Sequence, residues 1–312
     1  DSESNPNVSP TDIQLTNSTI AENESPGAFV GEFNATDPDE GDVHVFSLVA
    51  GEGSTHNHLF TVEANGTLKT AAILDHEANA TLSIRVKATD EHNATFEKVF
   101  AVTVTNVIED MDGDGIENHL DPDDDNDGYP DVEEIAASSN PLSAFSLPPV
   151  GKVIYVDDNA SGNDSGTSWP NAYVSLQSAL AEANGSVRTE IWVAEGVYRP
   201  DRGIGQTAND RSSTFQLKNR VELHGGFMGN EATPDDRTGQ NEWASVLTGD
   251  VGTQNWHDDN VYHVVTASGV DRTAVLSNFR IEHGRATGPG EWDKRGAGIL
   301  ADNGSPSLRY LY

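Results

Sequence analysis

Carboxylates at every second position, punctuated by glycine, are the residues with the most evident chemistry in this sequence. They form two consecutive twelve-residue stretches, Asp110–Asp121 and Asp123–Glu134. A hard divalent cation such as Ca2+ takes oxygen ligands from positions 1, 3, 5, 7, 9 and 12 of such a loop, and glycine at position 6 permits the sharp turn. In the first stretch Asp110, Asp112 and Asp114 fill positions 1, 3 and 5, Gly115 fills 6, Ile116 offers its carbonyl at 7, and Asn118 and Asp121 follow at 9 and 12. In the second, Asp123, Asp125, Asp127, Gly128, Tyr129, Asp131 and Glu134 occupy the same places. Charge runs are usually solvated linkers. Random acidic sequence, however, does not place both glycines at position 6 and an apolar residue at both positions 7, so the register itself argues for a cation.

Only Pro122 separates the two stretches, which leaves no room for the amphipathic helices that flank each loop of an EF-hand. Between Glu109 and Glu134 there is no Lys or Arg, and a segment this acidic cannot build a hydrophobic core. It resembles the thrombospondin type 3 repeat in its bacterial form, a DxDxDGxxDxxE pattern followed by small residues and NP, here Ile135–Pro141. That resemblance implies bound ions in place of a core. Folding of 110–141 is then expected to require metal, because the carboxylates repel one another without it.

The whole chain is compatible with such a role. It has 312 residues, with 51 acidic against 18 basic side chains and a net charge of −33, which repels nucleic acid and anionic lipid and attracts cations. DNA binding is excluded on this ground. There is no cysteine, so disulfides and thiolate metal sites are ruled out. The sequence has no apolar run of membrane-spanning length, and its first ten residues lack a signal peptide's basic start and apolar core. The expectation is a mature protein or a chain that begins partway along a longer one.

Residues 11–107 alternate in short apolar runs between Gly, Asn, Asp and Pro, the pattern of an all-β sandwich with one buried face. The clearest strands are 81–88 (Leu82, Ile84, Val86) and 98–104 (Phe100, Val102, Val104); others are expected at 13–15, 28–33, 43–49, 59–62 and 67–70. The segments PTDIQL, AEN, VGEFNATDPDEGD, LDHE and VKATDEHN within 10–93 resemble a cadherin repeat over residues 11–109. The resemblance implies a Greek-key sandwich with acidic residues collected at both ends to bind calcium. Carried over, Glu22, Asp75 and Glu77 lie at the lower end beside Glu109, and Asp37, Asp39 and Asp90 lie at the upper end. Where the family linker usually carries Asn, this chain has Ile108, which weakens the part of the lower site that faces a following repeat. The upper set would need ligands from a preceding repeat. With no Trp before Trp169, adhesion by tryptophan exchange is absent from this domain.

After a proline-rich linker (142–151), apolar runs recur at 153–156, 191–193, 221–223, 261–265, 275–281 and 299–300, and 174–184 reads as a helix burying Leu176, Ala179, Leu180 and Ala183. VIYVDDNASGNDSGTSWPNAYVSLQSALAEA, EIWVAEGVYRP, VELHGGFMGNE and VLSNFRIEHG resemble the start of pectin-lyase-like proteins, which implies an incomplete right-handed parallel β-helix over 152–312. Related folds include polysaccharide lyases and glycosidases, which makes Asp250, Asp258, Asp259 and Asp271 candidate carboxylates and Arg280 or Arg285 a candidate base. No pair is singled out by spacing, and Asp is an ordinary turn residue. His224, His263 and His283 are expected to be packed or exposed rather than metal-bound.

The sequence therefore points to an all-β mosaic: linker 1–10, sandwich 11–109, calcium segment 110–141, linker 142–151 and β-helix coils from 152. The expected role is extracellular or at a bacterial surface, with the outer membrane among the candidate locations. There the chain would bind Ca2+ and serve adhesion, homophilic contact included, or carbohydrate attachment, with neighbouring cadherin-like repeats, surface proteins or glycans as partners. The alternative is a secreted polysaccharide lyase or hydrolase with accessory modules.

Overall fold

The computed structural model describes residues 6–237 and 244–312. They fall into two compact units, 1–110 and 111–312. Among the described residues no helix is long and apolar enough to cross a membrane.

The first unit holds eight strands: β1 (Asp12–Leu15), β2 (Thr19–Ala21), β3 (Phe29–Thr36), β4 (Val45–Leu48), β5 (Phe60–Val62), β6 (Thr67–Thr70), β7 (Thr81–Thr89) and β8 (Thr95–Thr105). They form two four-stranded sheets, β1-β3-β6-β5 and β2-β8-β7-β4. The seven expected strands are all present. β2 was not anticipated, because three residues give no readable period; it pairs in parallel with β8, whereas β1 runs antiparallel to β3. The chain therefore changes sheets between Leu15 and Thr19. Asn17 holds the crossover, its amide donating to the carbonyls of Thr19 and Val30 at 2.8 Å. Along β7 every second residue is buried, and Leu82, Ile84, Val86 and Ala88 face Ile13, Val30, Phe33, Phe46 and Leu68 in one core. Apolar burial at roughly 25 cal/mol per Å2 makes this interface the main stabilising term.

The second unit opens with the acidic loops and a short helix α1 (Asp131–Ala137), which the sequence pattern did not reveal. There follow β9 (Lys152–Val156), α2 (Leu176–Glu182), β10 (Thr189–Ala194), β11 (Gly196–Tyr198), β12 (Phe215–Gln216), β13 (Val221–Phe227), β14 (Ser245–Thr248), β15 (Val265–Thr266), β16 (Val275–Glu282), β17 (Ile299–Leu300) and β18 (Ser307–Leu311). Every ladder in this unit is parallel. The sequence β10-β11-β12 is repeated by β13-β14-β15, and then by the two halves of β16 with β17. One sheet stacks β9, β10, β13, β16 and β18; a second stacks β11, β14 and the end of β16; a third stacks β12, β15 and β17. This arrangement is compatible with a partial parallel β-helix.

Register places like on like. Ile154, Ile191, Leu223, Leu276 and Leu308 lie opposite one another in successive strands, as do Tyr198, Leu247 and Ile281, and Phe215, Val265 and Ile299. Apart from Leu308, which is 42% exposed, these ladders contribute to the interior. α2 adds Leu176, Ala179, Leu180 and Ala183 to the same core, the face its spacing indicated, and the Lys218 ammonium donates to the carbonyls of Leu180 and Ala183 at its C-terminal end. The outer face of β9 and β10 is closed by Trp169, Trp192 and Phe227, with Trp192 and Phe227 stacked at 5.1 Å. These tryptophans are packing elements, not open platforms.

Candidate metal centres

Both acidic loops close through one backbone pattern. The position 9 side chain accepts from the position 2 amide at 2.9 Å, Met111 N to Asn118 Oδ1 in the first loop and Asp124 N to Asp131 Oδ1 in the second. The position 5 carboxylate accepts from the position 7 amide at 2.8 Å, Ile116 N to Asp114 and Tyr129 N to Asp127. The position 3 carboxylate accepts from the position 5 amide, Asp114 N to Asp112 at 2.9 Å and Asp127 N to Asp125 at 3.1 Å. Gly115 and Gly128 both stand at φ +96°, a conformation that side-chain-bearing residues rarely adopt. Asp110 is the last residue of the first unit; the turns from Met111 onward belong to the second.

The loops differ in burial. Ile116 is 44% exposed, whereas Tyr129 at the same position is 2% exposed. In the second loop Asp124, Asp125, Asp127 and Glu134 are all buried. Asp124 Oδ1, Asp125 Oδ2, Asp127 Oδ2 and both Glu134 carboxylate oxygens have no hydrogen-bond partner. In the first loop Asp112 Oδ2 is in the same state. A buried carboxylate oxygen without a donor carries a desolvation cost of several kcal/mol, which a coordinated cation removes. Burial, reinforced by the charge of Asp127, pushes Glu134 up to about 7. Burial likewise pushes Asp127 and Asp124 up to about 6, with Asp125 adding to the first and Asp131 to the second. Asp123 and Asp125 are raised in the same direction, again by burial. Asp123 spends its oxygens on the amides of Asp127 and Gly128, at 3.2 and 3.0 Å. The donor set is all oxygen and anionic, and it fits a hard divalent cation. Asp124 was not among the expected ligands; the DDD run at 123–125 was its only signal.

Glu134 sits in the first turn of α1, whose C-terminal residue Ser138 adopts φ +63°. Helix geometry thus carries the position 12 carboxylate inward, while Val132 and Ile135 remain exposed. The second loop also packs on its own unit's sheets. The Arg220 guanidinium pairs with Glu133 at 2.6 Å and lies 5.5 Å from the centre of the Tyr129 ring.

At one end of the first unit, Glu22, Asp75 and Glu77 bring ligand oxygens within 4.8 Å of one another. Glu22 is 3% exposed and accepts the amides of His76 and Val107, each at 2.7 Å. Burial opposes its ionisation, but these two donors outweigh it and hold the carboxyl below its usual value. Asn106 donates to Glu77 at 3.1 Å, Asp75 accepts the Ala78 amide at 2.8 Å, and Asn23 donates to Glu109. At the other end Asp37, Asp42 and Asp90 converge within the same limit. Asp39 is engaged elsewhere, accepting the Val8 amide at 2.7 Å, while Asp42, which sequence reasoning missed, has an unpartnered oxygen. Burial and the charge of Glu91 raise Asp42.

The candidate catalytic residues of the second unit are occupied with local structure. Both Asp250 oxygens lie 3.1 Å from the Asn255 amide they accept, and Asp259 accepts the Thr253 amide at 2.7 Å. Asp258 pairs with Arg285 at 2.7 Å, Arg280 with Glu282 at 3.2 Å, and Asp271 accepts the Thr273 amide at 2.9 Å. His224 bridges Ser277 at 2.7 Å and Glu222 at 3.3 Å; His263 Nδ1 faces the Gly296 carbonyl at 3.1 Å and His283 Nδ1 faces Thr248 Oγ1 at 3.0 Å.

Residues 16–105 match the cadherin domain. Chicken VE-cadherin EC1-2 is similar at 26% identity over 29% of this chain and 46% of that one, with a TM-score of 0.25. The third cadherin domain from human protocadherin 7 is similar at 24% identity, over 34% of this chain and 93% of that one, with a TM-score of 0.26. The chain thus spans less than half the length of the VE-cadherin chain it matches. A search of the curated proteins finds no match.

Proposed function

We propose that this chain is an extracellular, adhesion-type protein stiffened by calcium, in which the ions occupy both acidic loops and the Glu22, Asp75, Glu77 end of the cadherin domain. The observation that carries the reading is the set of buried, unpartnered carboxylate oxygens on Asp125, Asp127 and Glu134, in a loop whose hydrogen bonds repeat those of its neighbour. Asp112, Asp114, Asn118, Asp121 and the Ile116 carbonyl would serve the first loop; Asp123, Asp125, Asp127, Asp131, Glu134 and the Tyr129 carbonyl would serve the second. When bound, calcium supplies the positive charge that lets these carboxylates stay buried and ionised. The protein residues supply the rest: glycine turns aim the oxygens inward, and amide donors fix one oxygen of Asp125 and of Asp127 while the other has no hydrogen bond.

The cadherin match supports an extracellular setting, and the thrombospondin type 3-like spacing supports a constitutive brace, with one short helix rather than an opening pair. The parallel-sheet unit, read as the first coils of a β-helix, is then what the braced modules present to a surface protein or glycan at the bacterial surface. Asp37, Asp42 and Asp90 form a further calcium site of the same kind, completed by a neighbouring repeat.

Calorimetric titration of the full chain with calcium tests this reading. Binding is expected, with loss of the second-loop sites in Asp127→Asn and Glu134→Gln. An identical melting curve in calcium and in excess chelator, together with no heat of binding, would overturn it.

A further inference from the structure

A cleft of the second unit, about 450 Å3, opens on the outer face of β13, β16 and β18, with Tyr129 and Asp127 of the second loop in its wall. Three arginines line it, Arg188, Arg272 and Arg309, in a chain whose acidic side chains outnumber its basic ones by 51 to 18. Arg188 is committed: its Nε donates to Glu222 at 2.5 Å and its Nη1 to the Pro148 carbonyl at 2.9 Å. Arg272 and Arg309 form no ion pair within 4.0 Å among the described residues. Both side chains are exposed, and the backbone beneath each is fixed. Ser307 Oγ donates to the Arg272 carbonyl at 2.9 Å, and Arg309 stands on β18 in register with Ser277, which bridges to His224. Ser305 and Ser307 add hydroxyls to the same walls.

Two guanidinium groups outside any close ion pair, Arg309 and Arg272, the latter within the field of Asp125 and Asp127, stand beside serine hydroxyls in the cleft and form a donor array that matches the planar or tetrahedral oxygens of an anion. The opposing influence is Asp127. While the second loop holds no cation, Asp127 in this wall and the carboxylates behind it repel an anion; a divalent ion bound there offsets two of those charges, the repulsion falls, and the arginines act more strongly at close range. We propose that this cleft binds an oxyanion, a carboxylate or sulfate group borne by a larger molecule, and that it does so when the second loop carries its cation. The inference rests on the calcium reading of that loop and adds a ligand and a dependence to it.

Sulfate and acetate are the probes, titrated into the full chain with saturating calcium and again in chelator, with terbium luminescence sensitised by Tyr129 reporting cation occupancy separately. At least one of the two anions is expected to bind in calcium and to weaken about tenfold or more in chelator and in Arg272→Gln/Arg309→Gln, a loss of the size expected for charge-assisted hydrogen bonds. Terbium affinity should not fall in that double variant, because the change removes a positive charge near Asp125 and Asp127. A preference for sulfate or acetate identifies which group the cleft suits. Unaltered anion affinity in the double variant, or no binding of either anion in calcium while terbium binds, overturns the cleft and leaves the calcium reading standing. Failure of terbium to bind overturns the calcium reading, and equal anion affinity in calcium and chelator overturns the dependence.

Discussion

Gly128 lies against Thr273 so closely that a Cβ at Gly128 would stand 2.6 Å from the Thr273 methyl carbon. A residue of an acidic loop, chosen for its backbone conformation, is therefore also a packing contact of the turn that leads into β16. Gly115, with the same φ of +96°, meets nothing within 4 Å.

This contrast makes two substitutions informative. Gly115→Ala is expected to cost about 1–2 kcal/mol, the penalty of an unfavourable backbone conformation. Gly128→Ala should add about 1–3 kcal/mol of overpacking. Denaturant unfolding of each variant in calcium checks the difference, and equal costs would mean that the loop lifts away from Thr273 freely.

Neutralising the buried carboxylates should have opposite effects with and without calcium. In chelator, Glu134→Gln removes a fully buried charge without a partner and is expected to raise the melting temperature of the second unit. In calcium the same variant loses a bidentate ligand and melts below the parent. Scanning calorimetry in both conditions reads the crossover.

The pH response of the second loop follows from the same charges. Glu134, held near 7, and Asp127 and Asp124, held near 6, keep protons that the unfolded chain releases at about 4. Because the folded values are raised, this contribution to calcium-free stability is fully present below the unfolded value and is lost as pH rises from about 4 through 7. Calcium must displace these protons, so each one lowers affinity by about tenfold per pH unit below its pKa. Calcium titrations at neutral and mildly acidic pH test the sign. Glu22 in the cadherin domain behaves oppositely: its depressed value gives stability that is present above the ordinary glutamate range and lost on acidification.

The Arg188–Glu222 ion pair lines the cleft and is largely buried, with side chains 16% and 10% exposed. Burial opposes ionisation of Glu222, but the hydrogen bonds from His224 and Arg188 outweigh it and hold the carboxyl down to about 2. Arg188→Ala leaves that buried carboxylate with His224 alone and is expected to cost about 3 kcal/mol. Arg188→Ala combined with Glu222→Ala should recover part of the loss, measurable as a coupling in a double-mutant cycle.

The sequence by itself determined the local geometry. Spacing alone placed glycine at the two turns where φ must be +96°, set the alternation that buries Leu82, Ile84 and Val86, and marked the apolar face of α2. These features depend on residues a few positions apart, where backbone stereochemistry and side-chain period act directly. Tertiary structure decided what depends on distant partners. Asp42 rather than Asp39 joins Asp37 and Asp90, because the Val8 amide captures Asp39. The second loop is buried and the first exposed because Thr273 and Arg220, more than eighty residues away, close over one and not the other. α1 escaped notice because seven residues with exposed Val132 and Ile135 give no amphipathic stripe. Two twelve-residue stretches of the same spacing thus carry unequal desolvation, and that difference is set by long-range packing, which no local spacing encodes.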